Sequence, residues 1–176
     1  QAAIEGAAML ARAGARIEQV ASMELGVHGA MMSKLAASRP VDYQQAQLST
    51  PFAAAMAVAL APGREGPLAL SVDDFEQYLD DPAIRDLSAR TRCVVDARVE
   101  ALTTAEAVPA RVTITMKDGS RVEQFVEYPK GCPQNPITAD EVMQRFAAIA
   151  VPRFGAGPVD AWLEQARHPE RLASVA

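Results

Sequence analysis

The sequence lacks a hydrophobic segment long enough to cross a bilayer. Its longest apolar stretch, 51–62, is mostly alanine and falls short of the roughly 20 residues that a membrane helix needs. It also lacks a cluster of lysine and arginine of the kind that neutralises nucleic-acid phosphates, and its formal net charge is −5. We therefore expect a small molecule or a protein as the partner, with no nucleic acid and no membrane.

Cysteine is scarce, since only Cys93 and Cys132 occur, without the paired spacing of a zinc site or a redox motif. We interpret both as free thiols of a cytoplasmic protein. A chain of 176 residues can bury a stable core without a disulfide or a metal, so neither is expected. Because the sequence opens on Gln1 and not on methionine, we expect it to be processed, truncated or cut out of something longer.

The signatures of the common enzyme classes are missing as well. The sequence has no GxSxG, GxGxxG, Walker or HExxH motif, so hydrolase, dinucleotide, phosphate-loop and zinc chemistry receive no support. His28 has no acid near it in the sequence to orient it, and His168 lies in a polar stretch. We interpret both histidines as structural or solvent-facing.

A few other polar and aromatic residues have a structural and a functional interpretation. Two aspartate pairs, Asp73 with Asp74 and Asp80 with Asp81, precede helical patterns, so capping explains them better than catalysis does. Lys130, on an irregular loop, is of a type that holds substrate carboxylates, although a solvated lysine is the simpler interpretation. Phe52, in the first turn of an alanine-rich helix, is by itself a core aromatic.

What the sequence does contain is the mixture of helical and strand patterns typical of an α+β domain. Period-two alternation predicts four strands, and we expect them to form one antiparallel sheet with a single polar face. The predicted strands are 21–27, 93–101, 110–116 and 120–128. The predicted helices are 4–13, 30–37, 51–61, 72–79, 83–91, one from 139 that ends at Pro152, and a last one around Trp162. We expect Thr50 to cap the third of these, and Ser71 with Asp74 and Thr138 with Glu141 to form capping boxes.

The turn between the last two strands admits two registers. A two-residue loop of Asp118 and Gly119 would place Ile114 opposite Glu123, whereas a three-residue loop would place it opposite Val122. The second register keeps the apolar side chains on one face. We therefore predict a hairpin with a glycine bulge and a left-handed Gly119.

Several segments, in their order along the chain, resemble the C-terminal half of the MmgE/PrpD proteins. AQLSTPF at 46–52 is similar to the family's Ala-Gln-x-Ser-x-Pro-Tyr turn, and a helix of small residues follows it over 53–61. The later matches are Phe75, DPAI at 81–84 with Leu87, VTITMKDG at 112–119, PKG at 129–131, and NPIT at 135–138 with Phe146. Each motif alone is weak, but their succession covers nearly the whole chain.

The resemblance implies both an architecture and a class of reaction. The family includes 2-methylcitrate dehydratase, cis-aconitate decarboxylase and iminodisuccinate epimerase, which act on small di- and tricarboxylates without a metal or an organic cofactor and are typically homodimers. It implies that residues 1–130 form the small α+β lobe, with helices on one face of the sheet as in chorismate mutase. Residues 131–176 would then be C-terminal helices that pack on an N-terminal helical domain.

The resemblance also singles out the candidate site residues. Most of the family's acid and base groups would precede Gln1, so we expect the isolated chain to be inactive. Phe52 matches the tyrosine of the family's turn and is therefore one substrate-pocket candidate, and Lys130, as a cation on an irregular loop, is the other. A 2-methylcitrate dehydratase-type reaction is slightly preferred, and the alternatives are an epimerase of a small dicarboxylate and a noncatalytic α+β interaction module.

Overall fold

The computed structural model describes residues 1–35, 37–64, 66 and 68–168, and within them the chain has the predicted α+β fold. It divides into two compact units, Gln1–Pro136 and Ile137–Ala176. The elements of the first unit are α1 (Ala2–Arg12), β1 (Val20–Val27), α2 (Gly29–Leu35), α3 (Tyr43–Leu48), α4 (Thr50–Leu60), α5 (Val72–Tyr78), α6 (Pro82–Ala89), β2 (Thr91–Val95), α7 (Ala97–Leu102), β3 (Ala110–Met116) and β4 (Arg121–Val126). The second unit contains α8 (Ala139–Phe154) and α9 (Ala156–Arg167).

The four strands form a mixed sheet in the order β2-β1-β3-β4, and not the antiparallel sheet that we expected. β1 pairs with β3, and β3 with β4, in antiparallel fashion, but β1 and β2 run parallel. The alternation of apolar and polar residues shows which side chains share a face of a strand. It does not show whether the strand runs parallel or antiparallel to its neighbour. Helices α2 to α6 lie between β1 and β2 in the chain. Such a long connection can return the chain to the same end of the sheet, which makes parallel pairing possible.

The predicted strand 93–101 is also too long, because a helix replaces its second half. β2 ends at Val95, and Asp96 then caps α7 by accepting hydrogen bonds from the backbone N–H groups of Arg98 and Val99. A capping aspartate satisfies N–H groups that the first turn of a helix leaves unpaired. This local gain, together with the complete burial of Val99, favours helix over a longer strand.

Most of the predicted helix starts are confirmed. Ser71 and Asp74 form a reciprocal capping box at α5, and Asp81 caps α6. Thr138 and Glu141 form the predicted capping box at α8. The cap of α4 is displaced by one residue from the expected Thr50, because the Ser49 hydroxyl accepts the N–H of Phe52 at 3.1 Å.

The core of the first unit lies between one face of the sheet and helices α1, α4 and α6. Alternate residues of β1, among them Met23 and Leu25, point into it together with Val112 and Ile114 of β3. Helices α1 and α4 contribute mostly alanine, which allows their backbones to come close to the sheet. At Gly6 an added Cβ would lie only 2.9 Å from a methyl group of Val112. Small residues therefore set the spacing of these layers.

The hairpin between β3 and β4 has the predicted three-residue loop. Ile114 pairs with Val122, and Thr115 pairs with Arg121. Gly119 has a φ of 87°, and the N–H of Met116 donates to the Ser120 carbonyl at 2.8 Å. The register thus places Val122 beside Ile114, as predicted, with Ile114 buried and Val122 38% exposed.

The left-handed backbone of Gly119 predicts a specific cost of substitution. We expect Gly119→Ala to lower the free energy of unfolding by about 1 kcal/mol, because L-residues with a side chain are strained at positive φ. Space is not the reason, since nothing lies within 4 Å of the added Cβ. Gly63→Ala is the matched control, as its Cβ also meets open space but its φ is not positive. Urea unfolding of both variants checks the prediction, and equal costs would contradict it.

In the second unit, α8 continues beyond the predicted stop at Pro152 and ends at Phe154, followed by the cap residue Gly155, whose φ is 80°. A proline in the last turn removes only one internal hydrogen bond, so the helix tolerates it. The Trp162 ring of α9 makes edge contacts with Phe146 and Phe154 of α8. These three rings all remain substantially exposed, as do Val142 and Ile149.

None of the helices in the described part of the chain has the length and apolar character that a membrane span requires.

Candidate functional site

Phe52 borders a cavity of about 240 Å³ in the first unit. Its ring is completely buried in the first turn of α4, directly after the Ser49 cap. The other residues that line the cavity come from the loop after α2 and from α6: Ser38, Arg39, Pro40, Arg85, Asp86 and Ala89. The sequence candidate Phe52 therefore has two roles, in the core and in the wall of a cavity.

Two buried hydroxyl groups hold the loop that carries Arg39 and Pro40. The Ser49 hydroxyl donates to the carbonyl of Ala37, and the Ser88 hydroxyl of α6 donates to the carbonyl of Ser38 at 2.7 Å. Ser49 and Ser88 are almost completely buried. Hydrogen bonds of this kind fix a loop more firmly than exposed ones because water does not compete for the donors. The loop is thus anchored to both helices that flank the cavity.

The charged groups at the cavity differ in how strongly they are engaged. Asp86 forms an ion pair with Arg90, and the hydrogen bond from Arg90 is the main reason that the pKa of Asp86 is lowered. Arg85 has only long contacts, 3.3 Å to the carbonyl of Leu79 and 3.4 Å to Asp80. The arrangement therefore neutralises the one acid and leaves cationic groups available at the cavity.

Lys130, the second sequence candidate, lies on the loop that follows β4 and is not part of the cavity lining. Its backbone N–H donates to Glu5 at 2.9 Å, and its carbonyl accepts from the Gln1 side chain at 3.0 Å. This loop is thereby fixed against the first turn of α1. Whether Lys130 binds a substrate stays a prediction.

His28 has an acidic partner that sequence proximity did not reveal. Its Nε2 lies 3.2 Å from Glu100 of α7, and its Nδ1 accepts the N–H of Ala30 at 3.1 Å. Glu100 also accepts the N–H of Gly29. Both side chains thus satisfy unpaired N–H groups at the start of α2, which is a structural role.

A charged network covers the polar face of the sheet. Arg111 of β3 contacts Asp96 at 2.7 Å, Glu24 of β1 at 3.1 Å and Glu123 of β4 at 3.4 Å. Hydrogen bonds from arginine lower the pKa of Asp96, through Arg111, and of Glu24, through Arg92 and then Arg111. Alternation predicted that this face is polar, and the strand register brings its charges together.

The two thiols are free, as predicted, with Cys93 half-buried and Cys132 buried. Burial raises the pKa of Cys93 to about 11, so this thiol is protonated at neutral pH and is a poor nucleophile. In the residues that the structure describes, no three His, Cys, Asp or Glu side chains are grouped as metal ligands.

The first unit is thus an α+β lobe with a small cation-bordered cavity beside the start of an alanine-rich helix. Residues 1–168 match the model of the MmgE/PrpD C-terminal domain, so the chain belongs to that family. Comparison with curated proteins gave no match.

Proposed function

We propose that this chain is the C-terminal domain of a cofactor-independent lyase or isomerase that acts on a small di- or tricarboxylate, with 2-methylcitrate-type dehydration preferred. The family match over residues 1–168 supports this reaction class. The observation that carries the proposal is the position of Phe52, which corresponds to the family's turn tyrosine and borders the cavity. The acid and base groups would come from an N-terminal helical domain, and the active protein would be a homodimer.

The chemistry of Phe52 is the reason for preferring dehydration to decarboxylation. Proton transfer during catalysis needs a group that can hold and release a proton at the reacting carbon or oxygen. The phenolic hydroxyl of a tyrosine is such a group, whereas a phenylalanine ring has neither a donor nor an acceptor. Phe52 therefore shapes the pocket and supplies no proton to the substrate. A decarboxylation that depends on the hydroxyl would lack its proton donor.

The test uses the full-length protein that carries this domain, assayed on 2-methylcitrate, on cis-aconitate and on a small chiral dicarboxylate for epimerisation. We expect the wild type to dehydrate the first and to show little decarboxylation of the second. Phe52→Tyr is expected to raise the ratio of decarboxylation to dehydration about tenfold or more, because a single proton donor contributes at least that much. Phe52→Leu, which supplies no hydroxyl, is the control and should leave the ratio low.

Four outcomes would contradict the proposal at different levels. Efficient decarboxylation by the wild type would remove the argument from Phe52. Epimerisation of a dicarboxylate without any dehydration would replace the preferred reaction by the isomerase alternative. Absence of turnover on all three substrate types would favour a noncatalytic interaction module. Robust turnover by the isolated 176 residues would show that the acid and base groups lie inside this chain.

A further inference from the structure

We propose that Arg39 and Arg85 form a carboxylate-binding pair at the cavity above Phe52, and that Ser88 positions Arg39 for this role. The inference takes its substrate class, a small polycarboxylate, from the proposed function. It assigns the substrate's negative charges to two residues of this domain. Both arginines line the same cavity as Phe52 and come from different segments, the loop after α2 and helix α6.

Arg39 is available for a ligand. Its side chain is exposed, and among the residues that the structure describes it has no ion pair or hydrogen bond. The planar guanidinium group donates two parallel hydrogen bonds to a carboxylate, which makes arginine well suited to bind one. The two residues just before Arg39 are fixed because the Ser49 and Ser88 hydroxyl groups hold the carbonyls of Ala37 and Ser38, so less ordering is needed when a ligand binds.

Arg85 is held only weakly by the protein. Its contact with Asp80 is 3.4 Å long, and the Asp80 side chain is 91% exposed. Exposed ion pairs of this kind contribute little free energy, so a substrate carboxylate can replace Asp80 at low cost. Arg85 and Arg39 can thus both turn their charge towards the cavity without breaking a strong contact.

The acid that lines the cavity does not compete for these arginines. Asp86 is paired with Arg90, and Arg90 is itself fixed because it donates to the backbone carbonyls of Val20 and Ala21. The Asp86 and Arg90 charges cancel, which leaves the two positive charges of Arg39 and Arg85. Pro40, Phe52 and Ala89 supply the apolar part of the wall. A short carbon chain that bears two or three carboxylates fits this combination of charge, polarity and the volume of about 240 Å³.

The test measures binding separately from turnover. The full-length protein is titrated with propane-1,2,3-tricarboxylate by calorimetry, and wild type is compared with Arg39→Gln and Arg85→Gln. We expect each variant to raise Kd about tenfold, because each removes a charge-assisted hydrogen bond. Arg92→Gln is the matched control, since it removes the same charge from an exposed residue that borders β1 on the sheet and does not line the cavity. Its Kd should stay within about twofold of wild type.

The position of Ser88 adds a second measurement. Ser88→Ala removes the hydroxyl that holds Ser38, so Arg39 loses its fixed place. We expect KM for the substrate to rise severalfold with kcat nearly unchanged, since a displaced Arg39 weakens binding of substrate and transition state alike. In the Arg39→Gln background Ser88→Ala should have no further effect on Kd, as a positioning role requires.

Several results would overturn the inference. Unchanged Kd values in both arginine variants, an equal loss in Arg92→Gln, or no binding of the tricarboxylate by wild type would each do so. The failure of the proposed function is distinguishable from these. If tricarboxylate binding depends on Arg39 and Arg85 but no turnover is seen, the arginine pair is supported and the lyase function is rejected. If turnover is seen and KM is unaltered in both variants, the lyase function is supported and the arginine pair is rejected.

Discussion

Replacing Arg111 with methionine is expected to lower the free energy of unfolding by about 2–3 kcal/mol, since its hydrogen bonds to charged partners are lost together. Arg111 contacts Asp96, Glu24 and Glu123 at the same time, and its side chain is only 23% exposed. Methionine keeps much of the aliphatic volume but leaves these carboxylates without that partner. The side chain of Asp96 is 12% exposed, so little water is available to compensate.

Arg92→Met is the matched control for this prediction. Arg92 binds the same Glu24 at 2.7 Å, but its own side chain is 76% exposed. We expect it to cost less than about 1 kcal/mol because solvent screens the pair and hydrates the partner when the pair is broken. Urea unfolding of the two variants measures the difference. Equal effects of the two substitutions would mean that the network contributes no more than ordinary surface charges do.

Acid titration checks the same network through the direction in which stability changes with pH. The pKa of Asp96 is lowered, chiefly by the hydrogen bond from Arg111, so its ionised form stabilises the folded state. That stability is fully present above the unfolded pKa of about 4 and is lost as the pH falls through the lower folded pKa. The stability difference between wild type and Arg111→Met should therefore shrink between pH 7 and pH 3. A difference that stays constant over this range would contradict the assignment.

The parts of the fold that the sequence predicted are those with local signals. Ser71 with Asp74 and Thr138 with Glu141 are capping boxes whose partners lie three residues apart. The register of the β3–β4 hairpin followed from the turn residues and from the alternation on either side of Gly119. In each case the interacting groups are close in the chain, so their geometry is nearly independent of the rest of the molecule.

The errors arose where contacts between distant parts of the chain decide the structure. The direction of β2 depends on the path of helices α2 to α6, which lie between β1 and β2, and strand patterning contains no information about that path. Arg111 and Glu24 meet because the strand register places Arg111 opposite Gly26 and Thr113 opposite Glu24. The His28 contact with Glu100 has the same origin, since α7 follows a strand that pairs with β1.

The candidate site was only partly predictable for the same reason. Phe52 was identified through the family resemblance, and its residue type alone indicated a core position. Arg39 and Arg85 were not predicted as site residues, because no motif in the sequence distinguishes them from the other arginines. Only the hydrogen bond from Ser88 to the loop and the packing of α4 against α6 bring these residues to one cavity. A site assembled from separate segments becomes visible only once the fold is known.

Phe52→Ala is expected to lower the free energy of unfolding by about 4 kcal/mol, because removing a fully buried ring loses its transfer energy and leaves a void. The ring is 0% exposed and belongs to the main core, which makes the site and the stability of the domain depend on one side chain. Phe52→Leu keeps most of the volume and should cost less than about 2 kcal/mol. Urea unfolding of the two variants gives the comparison.

The free energy of unfolding of Phe52→Tyr then shows whether the edge of the ring faces the cavity or the core. The ring borders the cavity, so we expect the added hydroxyl to reach water there and the cost to stay below about 1 kcal/mol. A tyrosine enclosed in the core would leave its hydroxyl without a partner and cost about 1–3 kcal/mol. That larger loss would mean that the edge of the ring faces the core. Phe52 would then be a packing residue only, and the chemical argument from its missing hydroxyl would no longer hold.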